Sequence, residues 1–155
     1  MTNFDKPTYP KLFLPNDISV RQLIKNEFGV NLPVNDLHGM REEMAIQIDL
    51  VPNERYLFIE AKYLHFYYKL RGMKWDVKRM NTIEFNNRVL HKLVIQALWD
   101  DGKNFYEEGG SLYFDVTEYF EKEDGKPIIS YQLLAYDYHG DLQERGYEFL
   151  PSQLN

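Results

Sequence analysis

The sequence contains no cysteine, and this excludes disulfide bonds, thiol nucleophiles and metal sites built from cysteine ligands. The absence of cysteine is compatible with a reducing compartment, so we expect the protein to act in the cytoplasm. The chain also lacks any apolar run of the roughly 20 residues that a membrane-spanning helix needs. Its first residues show no basic stretch followed by an apolar stretch, which would mark a signal peptide. We therefore expect no membrane partner.

Residues that carry enzyme chemistry are scattered rather than grouped. The four histidines have none of the spacings of a metal site, and the acidic turn at residues 100–102 lacks the ligand pattern of an EF-hand. No serine lies in a G-x-S-x-G nucleophile motif. The pair Gly109-Gly110 is not followed by the Lys-Ser/Thr of a phosphate-binding loop. The sequence therefore predicts no metal site, no cofactor and no established catalytic motif.

Aromatic residues, by contrast, are abundant, with 12 Tyr and 10 Phe in the chain. They are typical of a sheet with one buried face and one partly exposed face. A length of 155 residues suits a single domain, residues 1–155, with one hydrophobic core. Several prolines within residues 1–16 predict an extended arm that lies on this domain.

Two segments have the signals of helices. In the first, Ser19 and Gln22 form a capping box, an apolar face follows over residues 20–28, and Gly29 fits the left-handed residue after a helix. The second, residues 53–72, has Asn53 as a candidate N-cap and Gly72 as a terminating glycine. Its apolar residues recur at helical spacing, but its many Tyr and Phe residues also fit a long bulged strand. Helix is the favoured interpretation and strand is the alternative.

Alternating apolar and polar residues predict strands in the rest of the chain, separated by turns rich in Asn, Asp and Gly. The predicted strands are residues 44–50, 74–83, 88–99, 112–120, 128–138 and 142–150. Turns are expected at Asn86-Asn87 and at residues 123–126, and residues 107–110 are expected to break the sheet. Short connections join antiparallel neighbours. The predicted fold class is α+β, an antiparallel β-meander of about five to six strands with two helices, one of them packed across the sheet.

The net charge of −6 is unevenly distributed along the chain. Residues 55–99 carry nine basic and three acidic residues, whereas residues 100–155 carry thirteen acidic and four basic ones. The simpler interpretation is that these two segments are neighbours in one sheet and neutralise each other across strands. The alternative is an acidic surface that attracts a basic partner.

These observations favour a binding domain over an enzyme. We predict an inhibitor, immunity or adaptor type of protein that engages a basic protein partner through an acidic surface bearing tyrosines. Tyrosine supplies contact area at low entropic cost, and carboxylates steer and select the partner. The predicted partner-binding residues are Tyr113, Asp115, Tyr119, Glu121, Glu123 and Asp124.

An enzyme or small-ligand-binding domain is the first alternative. His91 and Glu118 each interrupt an apolar face of a predicted strand, and a buried Glu–His pair is a candidate catalytic dyad. With Tyr131, these residues would line a pocket between the curved sheet and the covering helix. A margin glutamate and a packed core histidine explain the same pattern without catalysis.

Binding of single-stranded nucleic acid is the second alternative. Basic residues and a tryptophan gather near one predicted hairpin, as in a stacking platform. These residues are Lys74, Trp75, Lys78, Arg79, Arg88 and Lys92. The acidic net charge and the inward prediction for Trp75 argue against this function.

Overall fold

The computed structural model of the protein describes Leu14 and residues 18–128. Except for Leu14, the arm predicted over residues 1–16 lies outside the described residues. The strands predicted over residues 128–138 and 142–150 also lie outside them, apart from Ile128, and so does Tyr131.

Helix α1, Val20–Phe28, confirms the first helical prediction at both ends. The Ser19 hydroxyl accepts a hydrogen bond from the backbone N–H of Gln22 at 3.1 Å. The reciprocal half of a capping box does not form, because the Gln22 amide binds Asn26 instead. Gly29 ends the helix in the left-handed region, with φ 71°.

Residues 53–72 do contain a helix, α2, which spans Tyr56–Arg71 and ends at Gly72 with φ 70°. Its predicted N-cap was wrong. Asn53 adopts φ 67° within a turn, whereas an N-cap residue has an extended backbone. The cap is Arg55, with φ −78° and ψ 145°, so the helix begins later than its sequence signals predict.

The main sheet contains four strands: β1 (Ile46–Gln47), β2 (Lys74–Phe85), β3 (Arg88–Asp100) and β4 (Phe105–Asp115). Their spatial order is β1-β4-β3-β2. The sequential strands β2, β3 and β4 pair in antiparallel fashion and form the predicted meander. The turn between β2 and β3 is Asn86-Asn87, and both residues have positive φ, as a tight two-residue hairpin requires.

Three strand predictions need correction. The strand predicted over residues 44–50 is reduced to the two residues of β1, which pairs parallel to β4 after a short 3₁₀ turn, Glu42–Met44. The predicted break at residues 107–110 lies inside β4, because Gly109 and Gly110 pair in register with β3. The strand predicted over residues 112–120 ends earlier, at Asp115, and the 3₁₀ turn Thr117–Tyr119 follows it.

A small hairpin follows the sheet. Its strands are β5 (Lys122–Glu123) and β6 (Lys126–Pro127). Asp124 and Gly125 form the turn with φ 53° and 80°, which confirms the predicted Asp-Gly turn.

The main core lies between α2 and one face of the sheet, which we call the helix face. Ile59 and Leu64 of α2 share one buried cluster with Leu93 of β3 and Phe114 of β4, and Ile24 of α1 joins the same cluster. Opposite lies the outer face, where Ala45, Leu90 and Tyr113 form a second, smaller cluster. The fold is therefore α+β, with a helix packed across a mainly antiparallel sheet. Neither helix of the described residues has the length and apolar character that crossing a bilayer requires.

Candidate functional site

A glutamate and a histidine meet in the core, but the glutamate is not Glu118, which the enzyme alternative paired with His91. Nδ1 of His91 lies 2.8 Å from both carboxylate oxygens of Glu60. The exposed fractions are 0% for His91 and 1% for Glu60. The Tyr56 ring packs edge-on against the imidazole, with 5.5 Å between ring centroids. A pair this deeply buried cannot meet a substrate unless α2 moves away from the sheet.

Glu118, the predicted partner of His91, lies at the surface. Its carboxylate accepts a hydrogen bond from the backbone N–H of Leu50 at 3.0 Å and one from the Gln47 amide at 3.4 Å. The glutamate that reaches His91 comes from α2, where Glu60 lies between the buried apolar residues Ile59 and Ala61. An acidic residue between apolar neighbours was the available sequence signal. The packing of α2 on the sheet brings Glu60 opposite His91. The spacing of residues within the helix or within the strand does not predict this contact.

An ion pair between a buried arginine and a partly exposed glutamate joins the end of α2 to β4. Arg71, 4% exposed, donates two hydrogen bonds to the Glu108 carboxylate, at 2.7 and 2.8 Å. The guanidinium also packs over the rings of Tyr67 and Tyr68, at 5.3 and 5.7 Å from their centroids. The hydrogen bond from Arg71 lowers the pKa of Glu108 below its ordinary value. This arrangement fixes the helix on the sheet.

A third pair joins β3 to the end of β4 on the outer face. Nε of Arg88 donates to Oδ2 of Asp115 at 2.8 Å. The other oxygen, Oδ1, accepts from the backbone N–H of Thr117 at 3.0 Å and from its hydroxyl at 2.5 Å. Arg71–Glu108 and Arg88–Asp115 are thus the ion pairs that link the basic and acidic segments among the described residues.

Most acidic side chains of residues 100–128 remain outside such pairs. Seven carboxylates are exposed and form no salt bridge with a described residue. They are Asp100, Asp101, Glu107, Glu118, Glu121, Glu123 and Asp124. At about 3.4 Å per residue, the length of β4 separates Asp100 and Asp101 from Glu121 and its neighbours by roughly 34 Å. The acidic segment therefore presents two separate acidic turns rather than one patch.

The six predicted partner-binding residues occupy different environments. Tyr113 and Asp115 were expected to point outward but are 8% and 9% exposed. They are buried because the loop before β1 covers this end of the outer face: Gly39 accepts from the N–H of Tyr113, and Ala45 joins its cluster. Tyr119 is half-buried, and its hydroxyl accepts from the N–H of Val51 at 3.0 Å. The remaining three, Glu121, Glu123 and Asp124, are exposed on the small hairpin.

The basic residues considered for nucleic-acid binding do not surround a stacking tryptophan. Trp75 packs against Tyr68 of α2, with near-parallel rings 6.2 Å apart. Lys78 is paired with Asp76 at 2.8 Å, and Arg88 with Asp115. The Lys92 ammonium lies 5.8 Å from the centroid of the Tyr113 ring. Trp75 is therefore engaged by the helix rather than placed for base stacking.

An open cleft of about 280 Å³ lies on the outer face. It is bounded by the turn between β2 and β3 and by the loop before β1. Residues that line it include Glu42, Glu43, Phe85, Arg88, Leu90 and Asp115. The enzyme alternative predicted a pocket elsewhere, between the sheet and the covering helix and around His91, Glu118 and Tyr131.

Within residues 18–128 and Leu14, no three His, Asp or Glu side chains are grouped closely enough to hold a metal ion. Comparison with known proteins adds no functional assignment: no protein-family model matches the sequence, and no curated protein or solved structure matches it.

Proposed function

We propose that the protein is a protein-binding domain of inhibitor, immunity or adaptor type, and that it recognises a basic surface on its partner. The segment that would make the contact is the acidic hairpin, defined here as residues 121–128. It contains β5, β6 and the turn between them.

One observation carries this proposal: the acidic hairpin groups exposed carboxylates beside an exposed apolar side chain. Glu121, Glu123 and Asp124 are exposed and form no salt bridge with a described residue. Ile128 is 41% exposed, and its N–H donates to the carbonyl of Glu121 at 2.9 Å, so it lies next to the carboxylates. An apolar centre with a charged rim is the usual composition of a protein interface.

The hairpin also contains Lys122 and Lys126, so its net charge is small. Whether its carboxylates can bind a partner therefore depends on whether these lysines pair with them. Neither lysine forms a salt bridge with the neighbouring carboxylates, although Lys126 lies opposite Glu123 in the hairpin register. The three carboxylates are therefore available for charges on another molecule. We expect them to set the association rate and Ile128 to set the dissociation rate.

Charge reversal tests this proposal. The hairpin variant replaces Glu121, Glu123 and Asp124 with lysine. The matched control replaces Glu27, Asp49 and Glu84 with lysine, because these residues are also exposed and outside the salt bridges of the described residues. Both variants change the net charge equally. Immobilised wild type, hairpin variant and control are used to capture proteins from native lysate, and the captured protein is then purified.

We expect a protein that binds wild type and control but not the hairpin variant. Its association rate with wild type should fall steeply as salt rises, because screening acts over about 10 Å at 0.1 M. Ile128→Ala should leave that rate unchanged and speed dissociation. Equal capture by all three proteins, or an association rate indifferent to salt, would mean that the hairpin carboxylates serve solubility alone.

A further inference from the structure

The cleft on the outer face has a chemistry that the proposed protein-binding function does not use. One side is formed by Phe85 and Arg88, which flank the turn between β2 and β3. The other side is formed by the loop before β1, which contributes Glu42 and Glu43. Leu90, a member of the small apolar cluster, lies on the sheet beneath.

Arg88 is held in a fixed orientation in this cleft. Asp115 binds its Nε, and Thr117 fixes Asp115 in turn through two hydrogen bonds. The side chain of Arg88 is nevertheless 41% exposed. Since Asp115 occupies Nε, the two terminal nitrogens remain as an end-on fork, the geometry that binds a carboxylate through two parallel hydrogen bonds.

The charges of the cleft select against simple ions. Arg88 is paired with Asp115, and Glu42 and Glu43 add two further carboxylates to the lining, of which Glu43 lies 3.5 Å from Nε of Arg41. A ligand with only a negative group would bind the Arg88 fork but would be repelled by Glu42 and Glu43. A ligand with only a positive group would be attracted by the carboxylates but would leave the Arg88 fork without a hydrogen-bond partner. A molecule that carries both charges is complementary to both sides.

We propose that this cleft binds a small zwitterion of the α-amino acid class with an aliphatic side chain. Its carboxylate pairs with the Arg88 fork, its ammonium group with Glu42 or Glu43, and its side chain packs on Phe85 and Leu90. The volume of about 280 Å³ lies just below the roughly 300–1,000 Å³ of pockets for drug-sized ligands. A single amino acid fits this size.

The test uses L-leucine and two analogues that each lack one charge. N-acetyl-L-leucine lacks the ammonium group, and L-leucinamide lacks the carboxylate. Binding is followed by backbone amide chemical shifts of the full chain in titrations up to millimolar ligand. We expect saturable binding of L-leucine with shifts at Phe85, Arg88 and Leu90, and at least about tenfold weaker binding of both analogues.

Two variants connect binding to the proposed contacts. Arg88→Lys keeps a positive charge beside Asp115 but removes the fork, and should weaken L-leucine binding at least about tenfold. Glu42→Gln with Glu43→Gln should weaken L-leucine and spare N-acetyl-L-leucine. Glu84→Gln is the matched control, because Glu84 is exposed one residue before Phe85 and outside the cleft lining; it should leave binding unchanged.

Three results would overturn the proposal. The first is the absence of saturable L-leucine binding to the folded wild type. The second is equal binding of L-leucine and either analogue, because a single charge would then suffice. The third is unchanged L-leucine binding in a folded Arg88→Lys protein. Circular dichroism confirms that each variant is folded before titration.

Discussion

At the residue scale, the described structure places its ionisable core groups in defined pairs. Glu60 with His91 and Arg71 with Glu108 both link α2 to the sheet. Burial of such groups costs free energy, and that cost is offset only while the partner is present. Their contribution is therefore to fix how the helix sits on the sheet, and this leads to two predictions.

The first prediction concerns the Glu60–His91 pair. His91→Leu leaves the buried Glu60 carboxylate without its imidazole partner, so we expect a loss of roughly 3–5 kcal/mol in the free energy of unfolding. Glu60→Met should cost a similar amount. The double variant should lose less stability than the two single losses added together, because neither ionisable side chain then remains in the core. Urea unfolding of the four proteins measures the coupling, and additive losses would contradict a direct pair.

The second prediction concerns pH. Since the pKa of Glu108 is lowered from its ordinary value of 4.5 by the hydrogen bond from Arg71, its ionised form is favoured by folding. The stabilisation is therefore complete above pH 4.5 and is lost as the pH falls through the lowered pKa of the folded state. Glu108→Gln should be less stable than wild type at pH 7. The difference in the free energy of unfolding between the two proteins should become smaller below pH 4.5. Urea titrations across this range measure this difference.

Glu107→Gln is the control for that experiment, because Glu107 is the exposed neighbour of Glu108 and its carboxylate accepts a hydrogen bond from the Gln96 amide rather than from a charged group. Its stability difference from wild type should be small at every pH. A stability difference for Glu108→Gln that stays constant as the solution is acidified would show that Arg71 does not hold the Glu108 carboxylate in its ionised form.

At the element scale, the loop before β1 determines both the cleft and the burial of Tyr113. Gly39 of this loop binds the edge of β4, where its carbonyl accepts a hydrogen bond from the N–H of Tyr113 at 2.8 Å, and its φ is 77°. A Cβ atom there would lie 2.8 Å from Cδ1 of Ile46 and 2.9 Å from Cδ1 of Leu112. Both the backbone conformation and the lack of space require glycine at this position.

The third prediction separates those two requirements. Gly39→Ala should be destabilised by the left-handed backbone, about 1–2 kcal/mol, and by overpacking, about 1–3 kcal/mol more. Gly102→Ala is the matched control, because Gly102 has φ 92° and nothing within 4 Å of an added Cβ. It should show the backbone cost alone. Thermal and urea unfolding compare the two variants, and equal losses would show that the loop moves aside at no cost.

At the scale of the whole molecule, charge opposes stability. The net charge is −6, and the exposed carboxylates of residues 100–128 outnumber the ion pairs of that segment. Repulsion among like charges at the surface destabilises the compact state and is screened by salt. The acidic surface that we propose for binding therefore lowers the stability of the folded protein.

The fourth prediction follows from this repulsion. Raising NaCl from about 10 mM to about 150 mM, which shortens the screening length to roughly 8 Å, should increase the melting temperature of the wild type. The hairpin variant with Glu121, Glu123 and Asp124 changed to lysine should melt at the same temperature as wild type or higher, and should gain less from salt. Differential scanning fluorimetry at both salt concentrations provides the values. A wild-type melting temperature that falls with salt would indicate net attraction among the surface charges.

Local sequence signals determined the elements that depend on neighbouring residues alone. Ser19 and Gly29 determine where α1 begins and ends, Gly72 ends α2, and Asn86-Asn87 closes the central hairpin. Each of these signals is a side-chain hydrogen bond or a backbone conformation that a few consecutive residues can specify. The class of the fold and its meander followed from them.

Tertiary structure decided what depends on residues distant in the chain. Glu60 rather than Glu118 faces His91 because the packing of α2 sets its register on the sheet. Tyr113 and Asp115 are buried because a loop some 70 residues earlier folds over their strand. Period-two alternation predicts which residues share a face of a strand. It contains no information on what covers that face, and so the position of the cleft follows only from the folded chain.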